Sequence, residues 1–100
     1  MNRIDKKARA TAQAIFEVVE EELPEWNVSL RFRDDGSATI NADVRVGRSG
    51  VKMFAVQQPF SSRDLFHIPL RAAVDAAMEF TQHCRRELRK AKKNMQEFGV

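Results

Sequence analysis

From Trp26 to Val46 the chain alternates apolar and polar residues almost without a break, and this limits the folds open to it. Trp26, Val28, Leu30 and Phe32 interleave with Asn27, Ser29, Arg31 and Arg33. Ala38, Ile40, Ala42, Val44 and Val46 interleave with Thr39, Asn41, Asp43 and Arg45. Successive side chains of a strand point to opposite faces, so period two marks strands with one buried and one solvated face, as in an antiparallel sheet. Asp34-Asp35-Gly36-Ser37 reads as the turn between the two runs, and Gly47-Arg48-Ser49-Gly50 as the turn after them. Val51 to Gln57 reads as a third strand, of poorer alternation and open facing, ended by Pro59. Such a meander needs other elements to cover its apolar face.

Both flanks supply helices. Ile4, Ala8, Ala12 (or Thr11), Ile15, Val19 and Leu23 recur at three- and four-residue spacing, which predicts a helix from about Arg3 to Glu22. Asn2 suits its cap, with Asp5 three positions on, and Pro24 stops it. Lys6, Lys7 and Arg9 lie early and Glu20, Glu21 and Glu22 late, against the helix dipole, so an offset from outside the helix is expected. Ser61 to Ile68 fits a short fourth strand, an edge or a helical turn. Pro69 suits the first turn of a helix. Beyond it Leu70, Val74, Ala77, Thr81, Cys84, Leu88, Ala91, Met95 and Phe98 step by four and three, a heptad seam that predicts a helix to about Glu97 with Gly99 past its end.

The expected fold is therefore α+β: one domain over residues 1–100, ordered α-β-β-β-α. A three-stranded antiparallel meander carries two parallel helices on one face. Helices of about 20 and about 29 residues would be roughly 30 and 43 Å long, so the last must overhang the sheet. Its seam continues through the overhang, where an exposed apolar stripe is costly. A homodimer with Cys84, Leu88, Ala91, Met95 and Phe98 as its seam is expected; the alternative is that the first helix tilts to cover the stripe.

Composition adds mainly exclusions. One hundred residues make one domain, and 43% hydrophobic with 31% charged residues is globular. No apolar run approaches the ~18 residues of a membrane span. Met1 to Ala10 is charged rather than apolar, unlike a secretory signal. The single cysteine leaves no intrachain disulfide and no cysteine-rich zinc site. A cytoplasmic location is the expectation, with no membrane contact.

The net charge of +3 is unevenly spread. From Arg85 to Lys93 the chain holds six basic residues and one acidic, and without that stretch the remainder is acidic. On a helix Arg85, Arg86, Arg89, Lys90, Lys92 and Lys93 fall within about 160° of arc, at 100° per residue, opposite the seam. A one-sided basic ridge suits phosphate backbone; six contacts would give a salt slope near −5, at −0.9 each. The alternative is a solvated face that offsets the acids of the first helix, with Glu17, Glu20 and Glu21 near Arg85 and Arg89.

Arg31, Arg33 and Arg45 project from the polar face of the sheet, and Arg48 sits at a turn tip. None of the outward positions that can be placed is aromatic, so base stacking on this face is not expected. His67, His83 and Cys84 lack metal-ligand spacing, and Ser61 and Ser62 near His67 lack a nucleophile elbow. No catalytic residues, metal, cofactor or small-molecule substrate are therefore expected. Phe60, Leu65 and Phe66 either close the end of the core or form an exposed protein-binding patch.

The helix, three-strand meander and helix, with Pro59 after the third strand and the alanine-rich Leu70-Arg71-Ala72-Ala73-Val74-Asp75-Ala76-Ala77, resembles the YbaB-type nucleoid-associated proteins over roughly residues 5 to 95. That resemblance implies a DNA-binding dimer. The order also resembles the double-stranded-RNA-binding domain, whose last helix opens with lysines; here the opening is Ser61-Ser62-Arg63-Asp64 and the lysines lie at the other end. Both resemblances are of topology and carry over no site residues. Two functions remain expected: a small, non-enzymatic nucleic-acid-associated protein that uses the basic helix on phosphates, or a phage or mobile-element type inhibitor or adaptor that meets an acidic surface of a host protein.

Overall fold

The alternating segments form the expected hairpin, and its turn chemistry shows why. The computed structural model describes residues 3–47 and 52–97, with side chains over 6–47 and 52–94. Strand β1 (Asn27–Phe32) pairs antiparallel with β2 (Ala38–Val46), Phe32 opposite Ala38 and Leu30 opposite Ile40. Between them Gly36 takes φ 85°, a conformation that costs glycine little. The Asp35 carboxylate accepts from the Ser37 hydroxyl at 2.6 Å and the Ser37 N–H at 2.9 Å. Those two bonds favour the charged carboxylate and lower the Asp35 pKa.

Strand β3 (Lys52–Phe60) pairs with β2 and completes the sheet in the order β1-β2-β3. It does not stop at Gln57: it passes through Pro59, which lies opposite Thr39, and ends at Phe60. β3 is an edge strand, and an edge tolerates a residue without an N–H. The register also resolves its facing. Val56 lies opposite Ala42 and Phe54 opposite Val44, so both join the apolar face, while Met53, Ala55, Gln57 and Pro59 point outward. Val51 and Arg48-Ser49-Gly50 lie outside the described residues.

Helix α1 (Arg3–Glu22) buries Ala8, Ala12, Ile15 and Val19 completely, one stripe at three- and four-residue spacing. Its proposed cap Asn2 lies outside the described residues. Trp26 is buried and meets Phe54 edge-on at 6.2 Å. The ambiguous segment is a helical turn, α2 (Ser62–His67). Ser61 caps it: its hydroxyl accepts from the Asp64 N–H at 3.0 Å. Leu65 is fully buried, and Phe60 and Phe66 are half-buried, so this segment closes the end of the core.

A 3₁₀ turn (Leu70–Ala72) leads into α3 (Ala73–Glu97). The heptad seam needs correction in its first half. Leu70 and Val74 are 58% and 50% exposed, whereas Ala73, Ala77, Phe80, Thr81 and Cys84 are buried. A 3₁₀ turn has three residues per turn, so Leu70 is out of phase with the helix it precedes. The buried face of α3 is centred on Ala73, Ala77, Phe80 and Cys84, which leaves Val74 on its flank.

The two helices are parallel, as the contacts at each end of α1 show. Near its start Lys7 donates to the Phe66 carbonyl and lies over the Phe66 ring, 4.7 Å from its centre. At its end the Glu22 carbonyl accepts from Arg85, halfway along α3. Beyond Arg85, α3 runs to Glu97, about three further turns and roughly 18 Å at 1.5 Å per residue. The molecule is correspondingly elongated, 52 × 24 × 19 Å.

Two buried hydroxyls in the helical layer, Thr11 Oγ1 and Thr81 Oγ1, have no hydrogen-bond partner among the described residues. An unsatisfied buried hydroxyl keeps its desolvation cost without a compensating bond. Thr81→Val should therefore stabilise the fold by about 1 kcal/mol, read as a higher urea midpoint at unchanged slope; a lower midpoint would show that the hydroxyl is satisfied.

Candidate nucleic-acid interface

The charge pattern of α1 creates a need that α3 meets. α1 carries Glu17, Glu20, Glu21 and Glu22 toward its C-terminus and no basic residue in its last turn. Its final carbonyls carry the negative end of the helix dipole. The Arg85 guanidinium reaches across 63 residues of sequence and donates to the Glu22 carbonyl oxygen at 2.8 Å. The expected offset is therefore present, but in a different form. Among the described residues, neither Arg85 nor Arg89 forms an ion pair with Glu17, Glu20 or Glu21. Arg85 is engaged with backbone and is the least available of the six basic side chains.

The others sort by their position around the helix. Arg86, Arg89, Lys90 and Lys93 line one shallow depression, an i, i+3, i+4, i+7 set on one face. Lys92 is exposed and lies seven residues after Arg85, on the same flank. The one acid in the run, Glu87, sits off this face, 3.6 Å from Lys90 and 4.0 Å from His83. Both pairs are largely exposed and contribute little. The four-residue face carries four cations, of which Lys90 has one exposed contact with Glu87, while Arg86 also borders a second depression with Gln58 and Phe60 of β3 and with Glu79.

The dimer seam divides. Cys84 is fully buried within a single chain, where burial pushes its thiol up to about 11 from an ordinary 9.0. It belongs to the chain's own core. Leu88 packs against that core and is half-buried, as is Ala91. The Met95 side chain and Phe98 lie outside the described residues.

The arginines of the sheet also separate. Arg31 and Arg33 border one depression on the outward face, together with Ser29, Thr39, Asn41, Gln57 and Pro59. Arg45 lies at the other end of that face, beside Glu25, Asn27, Asp43 and Met53. Arg48 lies outside the described residues. The outward positions of the three strands are free of aromatic side chains, so this face has nothing on which a base could stack. Gln57 and Pro59 are absent from the sequence-based expectation because the facing of β3 could not be read there. Counting the β2–β3 register outward from the Gly47 turn would have found them.

No protein family, curated protein or solved structure matches the chain. The two resemblances noted above thus rest on element order alone.

Two measurements test this description. Arg85→Ala should lower stability by about 1 kcal/mol, the scale of an exposed charge-assisted bond, whereas Arg86→Ala should leave the denaturant midpoint nearly unchanged; equal effects would remove the capping role. The buried neutral thiol gives a pH dependence. Because the folded pKa is raised, its contribution is complete below about 9 and is lost as pH rises toward about 11. Stability should fall across that window, and Cys84→Ala should remove that part of the fall.

Proposed function

We propose that this protein is a small, non-enzymatic nucleic-acid-associated protein that holds the phosphate backbone with the overhanging part of α3. The observation that carries the reading is the gathering of Arg86, Arg89, Lys90 and Lys93 on one face of α3. Four cations at helical spacing on a projecting rod suit a repeating polyanion. Backbone contacts position a protein on nucleic acid but carry no sequence information directly. With all four side chains on phosphates, weak sequence preference follows. Lys92 extends the same charge around the rod, and Arg85 acts structurally.

The competing reading, an inhibitor or adaptor that meets an acidic host protein, looks to an exposed patch of Phe60, Leu65 and Phe66. Leu65 is fully buried and the two rings are half-buried, so no such patch supports it. As part of the same proposal, a second copy packed along Leu88 and Ala91 covers the apolar side of the overhang and places two basic faces in one particle. Light scattering should then give twice the 11.5 kDa chain mass.

The decisive experiment is binding to generic duplex DNA over a salt series. Four phosphate contacts predict a slope of log K against log salt near −3.6, at about −0.9 per contact. The combined variant Arg86→Ala, Arg89→Ala, Lys90→Ala and Lys93→Ala should lose at least tenfold in affinity at low salt, and Arg85→Ala should keep the wild-type slope. Absence of binding at low salt, where phosphate attraction is strongest, would reject the proposal.

A further inference from the structure

The open edge of the sheet and one flank of α3 lie side by side. β3 pairs with β2 on one side and with no strand on the other among the described residues. At nine residues it is longer than β1, the opposite edge, which has six. An edge strand presents a row of free N–H and C=O groups that can pair with another strand. Pro59, which lacks an N–H, comes only near its end. Between this edge and α3 runs a groove. Phe60, Ala76 and Phe80 supply its apolar lining, and Gln58, Glu79, His83 and Arg86 its polar lining.

The flank of α3 beside the groove carries its charges in a particular order. Asp75, Glu79, Arg86 and Lys90 fall within about 60° of arc, at 100° per residue, and all four are exposed. Among the described residues Asp75, Glu79 and Arg86 form no ion pair, and Lys90 has only its exposed contact with Glu87. Acids early and bases late suit the helix dipole, but the dipole does not gather them on one flank. Along the helix the signs run minus, minus, plus, plus. Asp75 with Lys90 and Glu79 with Arg86 share one midpoint, between Gln82 and His83. Such a flank complements a second copy of itself running the opposite way. Glu79 then meets the partner's Arg86, and Asp75 meets the partner's Lys90.

The same operation brings the two edges together. Arg9, early in α1, lies over the ring of Phe32 at the end of β1, so β1 runs against α1. β3 has the direction of β1, and α3 that of α1, so α3 and β3 are antiparallel. Phe60 lies with Ala76, Glu79 and Phe80, in the first part of α3. Phe54 packs on Trp26, just beyond the end of α1 that Arg85 caps. Val56, the middle residue of β3, is therefore level with α3 between Phe80 and Arg85, where the charge midpoint falls. One two-fold axis through both points sets β3 antiparallel to the β3 of a second copy, with the two α3 flanks facing each other above them. The contact is self-complementary, as a two-fold interface requires. It pairs the free edge groups and covers the apolar lining of the groove.

We propose that a second copy of this chain docks on the β3 edge and the Asp75–Lys90 flank of α3, joining two three-stranded sheets into one. Leu88 and Ala91 lie about 140–160° around α3 from Arg86, at 100° per residue, so this pairing differs from the one along them. Arg86 and Lys90 also belong to the proposed phosphate face, so nucleic acid and the partner's acids compete for them. The pairing itself does not depend on that reading.

The test is the molar mass of the full-length protein over a concentration series, without nucleic acid, for two charge variants. Glu79→Arg and Arg86→Glu should each weaken self-association by about tenfold, because two like-charge contacts replace two attractive ones. An equimolar mixture of the two variants should regain wild-type association, since each mixed pair again sets opposite charges at both contacts. Amide exchange along β3 should be slower in the associated wild type than in Glu79→Arg alone. A wild type that stays monomeric, or β3 amides that exchange equally fast in both proteins, would overturn the inference. Association unchanged in both variants would also overturn it and assign the dimer to Leu88 and Ala91. A mixture no tighter than its components would remove the Glu79–Arg86 contact and the inference with it. Failure of duplex binding in the salt series would reject the α3 reading and leave these results as they stand.

Discussion

Two parallel helices of unequal length cover one apolar sheet face, and the rest of the architecture depends on that mismatch. The sheet needs its Ile40, Ala42 and Val56 side covered, and α1 is long enough to do so with Ala8, Ala12, Ile15 and Val19. α3 buries Ala73 to Cys84 over the same stretch and still has about three turns left. The end of α1 marks where the shared core stops, and Arg85 stands at that boundary, bonded to the last residue of α1. Beyond it only Leu88 still packs against the core and Arg86 still borders β3, at Gln58 and Phe60. A helix segment freed from packing is the place where side chains can be chosen for charge rather than for fit.

Electrostatics then divides the basic residues by task. Lys7 and Arg9 are drawn to aromatic rings, Phe66 and Phe32, at 4.7 and 4.9 Å. Arg85 is drawn to a helix terminus. Each has its charge directed at a structural partner inside the fold. Arg86, Arg89 and Lys93 have no acid within ion-pair reach among the described residues, and Lys90 has only an exposed contact with Glu87. On the sheet, Arg31 and Arg33 form no ion pair among the described residues, although the Arg33 charge helps to lower the Asp35 pKa. A modest net charge thus conceals a local excess of cations on α3 and two arginines beside one depression of the sheet.

Much of the fold was legible because its signals are local. Strict alternation over residues 26–46 identified β1, β2 and the face each residue takes, and the three- and four-residue spacing placed α1 at its observed bounds. The failures were of phase and register. β3 has an irregular pattern, and its facing follows from pairing with β2 rather than from its own residues. The seam of α3 was started at Leu70, but a 3₁₀ turn shifts the phase, and the buried face runs through Phe80, which the seam omitted. Of the candidate interface, the basic run itself was plain in the sequence. Which of its members are free was not, because that depends on where α1 ends in space.

The sequence by itself determined the α-β-β-β-α order, the apolar and polar faces of the first two strands, and the concentration of charge after Cys84. These follow from periodicity and composition, which act over a few neighbouring residues. Only the tertiary structure decided that Arg85 caps α1, that Arg31, Arg33 and Gln57 share one depression, and that Arg86, Arg89, Lys90 and Lys93 share another. Those relations join residues tens of positions apart. They arise from how the strands register and how two helices of different length stack on one sheet, and no local pattern encodes either.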